Sequence, residues 1–110
     1  MPLNMDFQKR QESVQSKLKD KELDAIIVEN LVNVRYLTGF DGSHGILILD
    51  QEKSLFITDG RYAEVAQEIV HADEIKIQPI REVDQFFEGI FKERSYRKLA
   101  FENSISYHQY

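Results

Sequence analysis

The sequence predicts an α/β domain: a mixed β-sheet with flanking helices. Three observations carry this. Apolar residues recur at helical spacing in three separate stretches, and five short apolar runs are bounded by polar or turn residues. Two of those runs, "GILILD" and "SLFITD", are separated only by the polar tract at 51–53, a hairpin signal that excludes a purely parallel sheet.

The elements follow in chain order. Residues 6–20 set Phe7, Val14 and Leu18 on one face among Gln, Lys, Arg and Glu, which predicts an amphipathic helix with Asp6 as its N-cap. In "LDAIIVEN" the run Ala25 to Val28 is a short buried strand. Residues 31–36 form a helical turn that stops at Gly39. After the hairpin, Thr58 or Asp59 caps a helix carrying Tyr62, Val65, Ala66, Ile69 and Val70. "EIKIQPI" alternates Ile75, Ile77 and Pro79 with polar neighbours, so it reads as a strand ending near the proline. A helix over 83–94 presents Val83, Phe86, Phe87, Ile90 and Phe91, and "KLAFE" is the fifth strand. "NSISYHQY" reads as a cap and the opening of a further helix.

At 110 residues the chain has the length of one domain. A net charge of -5 argues against nucleic acid as a partner, because such binders concentrate basic surface. The one basic cluster, "KERSYRK", is expected to be a solvated helix end. The absence of cysteine excludes disulfides and thiolate metal sites. No segment approaches the roughly 20 apolar residues that span a bilayer, so no membrane partner and a cytoplasmic location are expected.

Candidate chemistry is sparse. His44, His71 and His108 lie far apart, and "HADE" at 71–74 reads as a solvated helix end before it reads as a metal cluster. "DGSHGI" lacks the G-x-S-x-G spacing of a nucleophile elbow and leads into a strand, not a helix. "DGR" at 59–61 reads as a tight strand-to-helix turn. Arg35, in a mostly apolar neighbourhood, needs a carboxylate: one within the domain, or one on a substrate or another chain.

"NVRYLTGFDGSHGILIL", "LFITDGRY" and "LAFENSISYHQY", in that order, make the chain resemble the N-terminal domain of the creatinase, proline dipeptidase and Xaa-Pro aminopeptidase family over nearly its whole length. The resemblance implies a ribonuclease-H-like fold, a mixed sheet with helices packed on it. It implies a parent enzyme that cleaves the bond before proline with two divalent metals, often manganese. Their ligands (two aspartates, a histidine and two glutamates) would lie in a second, C-terminal pita-bread domain. That domain is absent from this sequence, so residues 1–110 are expected to hold no catalytic residue, metal or cofactor of their own, and to be a piece of a longer enzyme.

The resemblance further implies a homodimer, with proline-containing peptides as substrates and this domain restricting access to the cleft. Arg35, Tyr36 and His44 are the matching rim positions, and Gly39, Gly42 and Gly45 would permit an exposed, tightly turning loop. Relatives often carry a small residue where this chain has His44, which opens substrate length and pH dependence as its roles beside simple exposure. The "DGRY" positions are expected to be structural: Asp59 capping, Gly60 turning, Arg61 pairing within the domain and Tyr62 packing. Two alternatives share the architecture: a creatinase-type hydrolase, and a non-enzymatic binding module such as the peptidase-like region of a eukaryotic histone chaperone.

Overall fold

The structure, a computed structural model, describes residues 4–79 and 83–102. Its elements are α1 (Asn4–Asp20), β1 (Ala25–Val28), α2 (Leu31–Thr38), β2 (Ile46–Asp50) and β3 (Ser54–Thr58), then α3 (Ala63–Ile69), β4 (Glu74–Ile77), α4 (Val83–Glu93) and β5 (Leu99–Phe101). The strands form one sheet in the order β4-β3-β2-β1-β5. Its centre, β1-β2-β3, is antiparallel, and β4 and β5 join parallel at the two edges. This is the mixed sheet with flanking helices that the hairpin and the alternating patterns predict.

The hairpin turn is closed by side chain and backbone together. Asp50 Oδ1 accepts from the backbone N–H of Glu52 (2.8 Å) and Lys53 (2.6 Å), so a carboxylate fixes the register of β2 on β3.

Alternate strand residues feed two cores, one on each face. Ile26, Val28, Leu47, Leu49, Phe56 and Ala100 pack against Val14 and Leu18 of α1, Val34 and Leu37 of α2 and Ala66 of α3. The other face carries Ala25, Ile27, Ile46, Ile48, Leu55 and Ile57 under α4, whose Ile90 is buried. Burial on both faces explains why β1 is a continuous apolar run without alternation.

Several details depart from the sequence reading. Asp6 lies within the first helix, near its N-terminal end where its charge suits the dipole, instead of capping it. The stripe Phe7, Val14 and Leu18 includes a buried polar member, Gln11, whose Nε2 donates to the carbonyls of Leu37 (2.9 Å) and His71 (2.7 Å). Asp59, not Thr58, is the cap after β3, and it caps a short 3-10 turn that precedes α3. In α3 only Ala66 is buried; Val65 and Ile69 keep 37% and 39% of their surface exposed. The "HADE" segment is no solvated helix end: Asp73 Oδ2 accepts from the Ser54 N–H (2.8 Å), and the Asp73 N–H donates to Ser54 Oγ (2.9 Å). The helix opening expected in 103–110, with His108, lies outside the described residues.

Helices α1 and α4 both end on a left-handed residue that is not glycine. Glu22 and Ser95 each have φ of 58°. After α4 the Tyr96 N–H reaches the Phe91 carbonyl (3.0 Å) and the Ser95 N–H the Lys92 carbonyl (3.3 Å), which is the Schellman pattern.

Candidate functional site

The register places the end of β1, the start of β2 and the ends of β3 and β4 at one end of the sheet. Here the "FDGSHG" and "DGRY" motifs meet. Gly39 caps α2 with φ of 86°, a conformation that favours glycine, and its N–H donates to the Arg35 carbonyl (2.8 Å).

The loop then turns over an aromatic cluster. Phe40 is buried, with its ring 4.8 Å from Phe56 and 5.4 Å from Tyr62, the latter edge-on. A Cβ on Gly42 would lie 2.4 Å from Phe40 Cζ and 2.8 Å from Tyr62 Cε1; one on Gly45 would lie 2.7 Å from Phe56 Cζ. These two glycines therefore serve close approach of backbone to rings, not left-handed backbone, and Gly45 is buried where an exposed loop is expected. Gly60 differs again: a Cβ there meets nothing within 4 Å and no left-handed φ requires glycine, so the turning role expected of it is not needed.

Polar contacts lock the two motifs together. Thr58 Oγ1 donates to the His44 carbonyl (2.6 Å). The Tyr62 hydroxyl accepts from the Ser43 N–H (3.1 Å) and pairs with Ser43 Oγ (2.5 Å). Those bonds, the side-chain one first, hold the Tyr62 phenol below its usual value. Asp59 is buried and accepts from Arg61 through the backbone N–H (2.9 Å), Nε (3.0 Å) and Nη2 (2.9 Å). The Arg61 side chain is the main reason the Asp59 carboxyl titrates below the ordinary carboxylate range, with a smaller contribution from His44. Arg61 thus pairs within the domain and Tyr62 packs, as the sequence suggests.

The three rim candidates occupy different environments. Arg35 is exposed on α2 and forms no ion pair among the described residues, so the internal carboxylate partner weighed for it is not found. Tyr36 is half-buried against the core on the face of the sheet that α1, α2 and α3 cover. The Arg10 guanidinium lies 4.4 Å over its ring, and Arg10 Nη1 donates to the Tyr36 carbonyl (2.9 Å). His44 is half-buried, and its Nε2 is shielded from solvent with no hydrogen-bond partner. The loop therefore brings His44 together with Ser43, Asp59 and Tyr62, whereas Tyr36 belongs to a packing layer with Arg10. Among the described residues no group of three His, Asp or Glu side chains converges to hold a metal, so the pair of ions implied by the resemblance does not fit them.

The other end of the sheet is built differently. A cleft of about 550 Å³ is lined by Asp24, Asp50, Glu74, Arg94 and Tyr96, among others. The Tyr96 hydroxyl donates to Asp50 Oδ2 (2.6 Å), Arg94 pairs with Glu74 and lies 3.9 Å from Asp50, and Asp24 Oδ2 accepts from the backbone N–H of Arg97 (2.6 Å) and Lys98 (2.8 Å). "KERSYRK" is therefore not a solvated helix end throughout, since Arg94 and Tyr96 are drawn into this network.

The Creatinase/Prolidase N-terminal domain family matches residues 10–110. The chain belongs to this family. It is 36% identical over 89 residues to the uncharacterized peptidase YqhT of Bacillus subtilis (strain 168), covering 80% of this chain and 25% of YqhT. The chain thus spans about a quarter of that relative's length. Among solved structures, the N-terminal domain of the cytoplasmic peptidase PepQ from Mycobacterium tuberculosis H37Rv is 32% identical with a TM-score of 0.76, over 88% of this chain and 75% of that one. An Xaa-Pro aminopeptidase from Streptococcus pyogenes is 25% identical with a TM-score of 0.84, over 94% of this chain and 79% of that one. Among the described residues no helix is long and apolar enough to cross a membrane.

Proposed function

We propose that this chain is the non-catalytic N-terminal domain of a longer cytoplasmic peptidase that hydrolyses X-Pro bonds, and that its glycine-rich loop shapes access to the catalytic cleft. The parent works as a homodimer on proline-containing peptides. Its divalent metals, manganese by the family resemblance, are held by a further domain. The peptidases among the relatives, and the quarter of YqhT that the chain spans, support this reading.

The observation that carries the loop's role is polar capacity left open within the chain. His44 Nε2 is shielded and without a partner, and Arg35 is an exposed guanidinium without an ion pair among the described residues. A stranded Nε2 shows that the ring is not placed for the domain's own hydrogen bonding, the half-buried His44 keeps part of its surface open to a peptide, and a guanidinium fork fits a peptide carboxylate. Arg35 and His44 are thus the groups that meet the peptide at the rim, while Tyr36 supports α2 from beneath.

The test is hydrolysis of an X-Pro dipeptide, with manganese, by the full-length protein that carries this domain. Arg35→Ala is expected to lower kcat/KM about tenfold, the worth of one charge-assisted hydrogen bond, with an unchanged melting temperature. Unchanged kinetics with a lower melting temperature would make Arg35 a structural residue.

A further inference from the structure

The tyrosine of "DGRY" does more than fill space. Its ring packs edge-on to Phe40 and limits the room at Gly42, and these contacts would be served equally by phenylalanine. The hydroxyl is the added feature. It accepts the Ser43 N–H at 3.1 Å and lies 2.5 Å from Ser43 Oγ, so one oxygen grips both the backbone and the side chain of the residue before His44. A phenol can accept one hydrogen bond while donating another, which lets it satisfy both partners at once. Arg61, 5.2 Å over the ring and tied to buried Asp59, steadies Tyr62 from outside, and Thr58 Oγ1 holds the His44 carbonyl from the strand side. His44 is thereby held through Ser43 before it and through its own carbonyl, although its ring Nε2 has no partner.

We infer that Tyr62 is a positioning residue: its hydroxyl fixes the Ser43–His44 segment so that the imidazole is pre-oriented for the peptide. This deepens, and rests on, the proposal that His44 meets substrate. A pre-oriented contact that acts equally on bound substrate and transition state changes KM and leaves kcat.

The experiment combines amide hydrogen exchange with steady-state kinetics on the full-length protein, with an X-Pro dipeptide as the probe. Tyr62→Phe keeps the ring and removes the two hydrogen bonds. It is expected to speed exchange of the Ser43 N–H about tenfold and to raise KM by a similar factor, with kcat within about twofold. Ser43→Ala retains the N–H contact and is expected to raise KM about threefold. Tyr96→Phe, at the far end of the sheet, is expected to lower the melting temperature and leave KM unchanged. Unchanged Ser43 exchange in Tyr62→Phe would overturn the positioning role. So would faster exchange with unchanged KM in a protein whose KM rises on His44→Ala. If His44→Ala itself leaves KM unchanged, the reading of His44 as a substrate contact fails instead, whatever the exchange data give.

Discussion

The two ends of the sheet are both held by polar networks, and they differ in whether the network is closed. At the end holding Asp24, Asp50, Arg94 and Tyr96, charged and hydroxyl groups are matched to one another and to backbone N–H donors, closing the hairpin and the entry into β5. At the end holding the glycine-rich loop, Ser43 pairs with Tyr62, Asp59 with Arg61 and the His44 carbonyl with Thr58, but one buried side-chain atom is left over: His44 Nε2 has no partner. The difference teaches where to look for function. A fold's own needs are met by closed networks, and a buried polar atom held in place yet unmatched calls for an explanation, for which the proposed function offers a substrate.

The largest test of this contrast concerns the floor of the loop. Phe40 supports Gly42, Gly45 and Tyr62 together, and Phe40→Ala is expected to cost about 3–5 kcal/mol in denaturant unfolding, the range for deleting a buried ring. A smaller loss would mean that the loop collapses onto the space and is not rigidly supported.

The glycines sharpen the comparison. Gly45→Ala forces a methyl to within 2.7 Å of Phe56 and is expected to destabilise by about 1–3 kcal/mol. Gly60→Ala meets nothing within 4 Å and is expected to be neutral or to stabilise by up to about 1 kcal/mol. Equal effects at the two sites would break the claim that ring contact, and not turning, selects glycine in the loop.

At the closed end, Tyr96→Phe is expected to cost about 1–2 kcal/mol at neutral pH by leaving Asp50 short of a donor. Burial first, and then the Asp50 hydrogen bond, push the Tyr96 phenol up to about 12 from 10.0. The folded protein binds that proton more tightly than the unfolded chain does. Its contribution is therefore complete below pH 10 and is lost as the pH rises toward 12. Stability curves of the two proteins should converge across that window. The smallest expected effect is at the helix ends. Glu22→Gly and Ser95→Gly relieve left-handed residues at φ of 58° and are each expected to add about 1 kcal/mol, read as a rise in melting temperature.

What the sequence revealed and what it hid follow from range. The strands β1 to β5 and the helices were legible because apolar periodicity is local, and the hairpin because only three residues separate its strands. Gln11 falls at the spacing of Phe7, Val14 and Leu18 but reads with the polar surroundings of that stripe, because its two carbonyl partners lie far along the chain. Ser43 and Tyr62 are 19 residues apart, and Arg94 and Glu74 are 20 apart; nothing local to either residue announces the other. The glycines were legible as special but for a reason that only the Phe40 and Phe56 rings supply. His44 was visible as an unusual residue in its motif, and its unmatched nitrogen was not.

The most direct test of the central claim is kcat/KM for an X-Pro dipeptide, measured on the full-length protein with His44→Ala beside Tyr96→Phe and paired with melting temperatures. His44→Ala is expected to lower kcat/KM about tenfold while the melting temperature holds or rises, because it removes a shielded nitrogen without a partner. Tyr96→Phe is expected to lower the melting temperature and keep kcat/KM. A His44→Ala protein with unchanged kcat/KM and a lower melting temperature would contradict the account and make the loop a structural element of the fold.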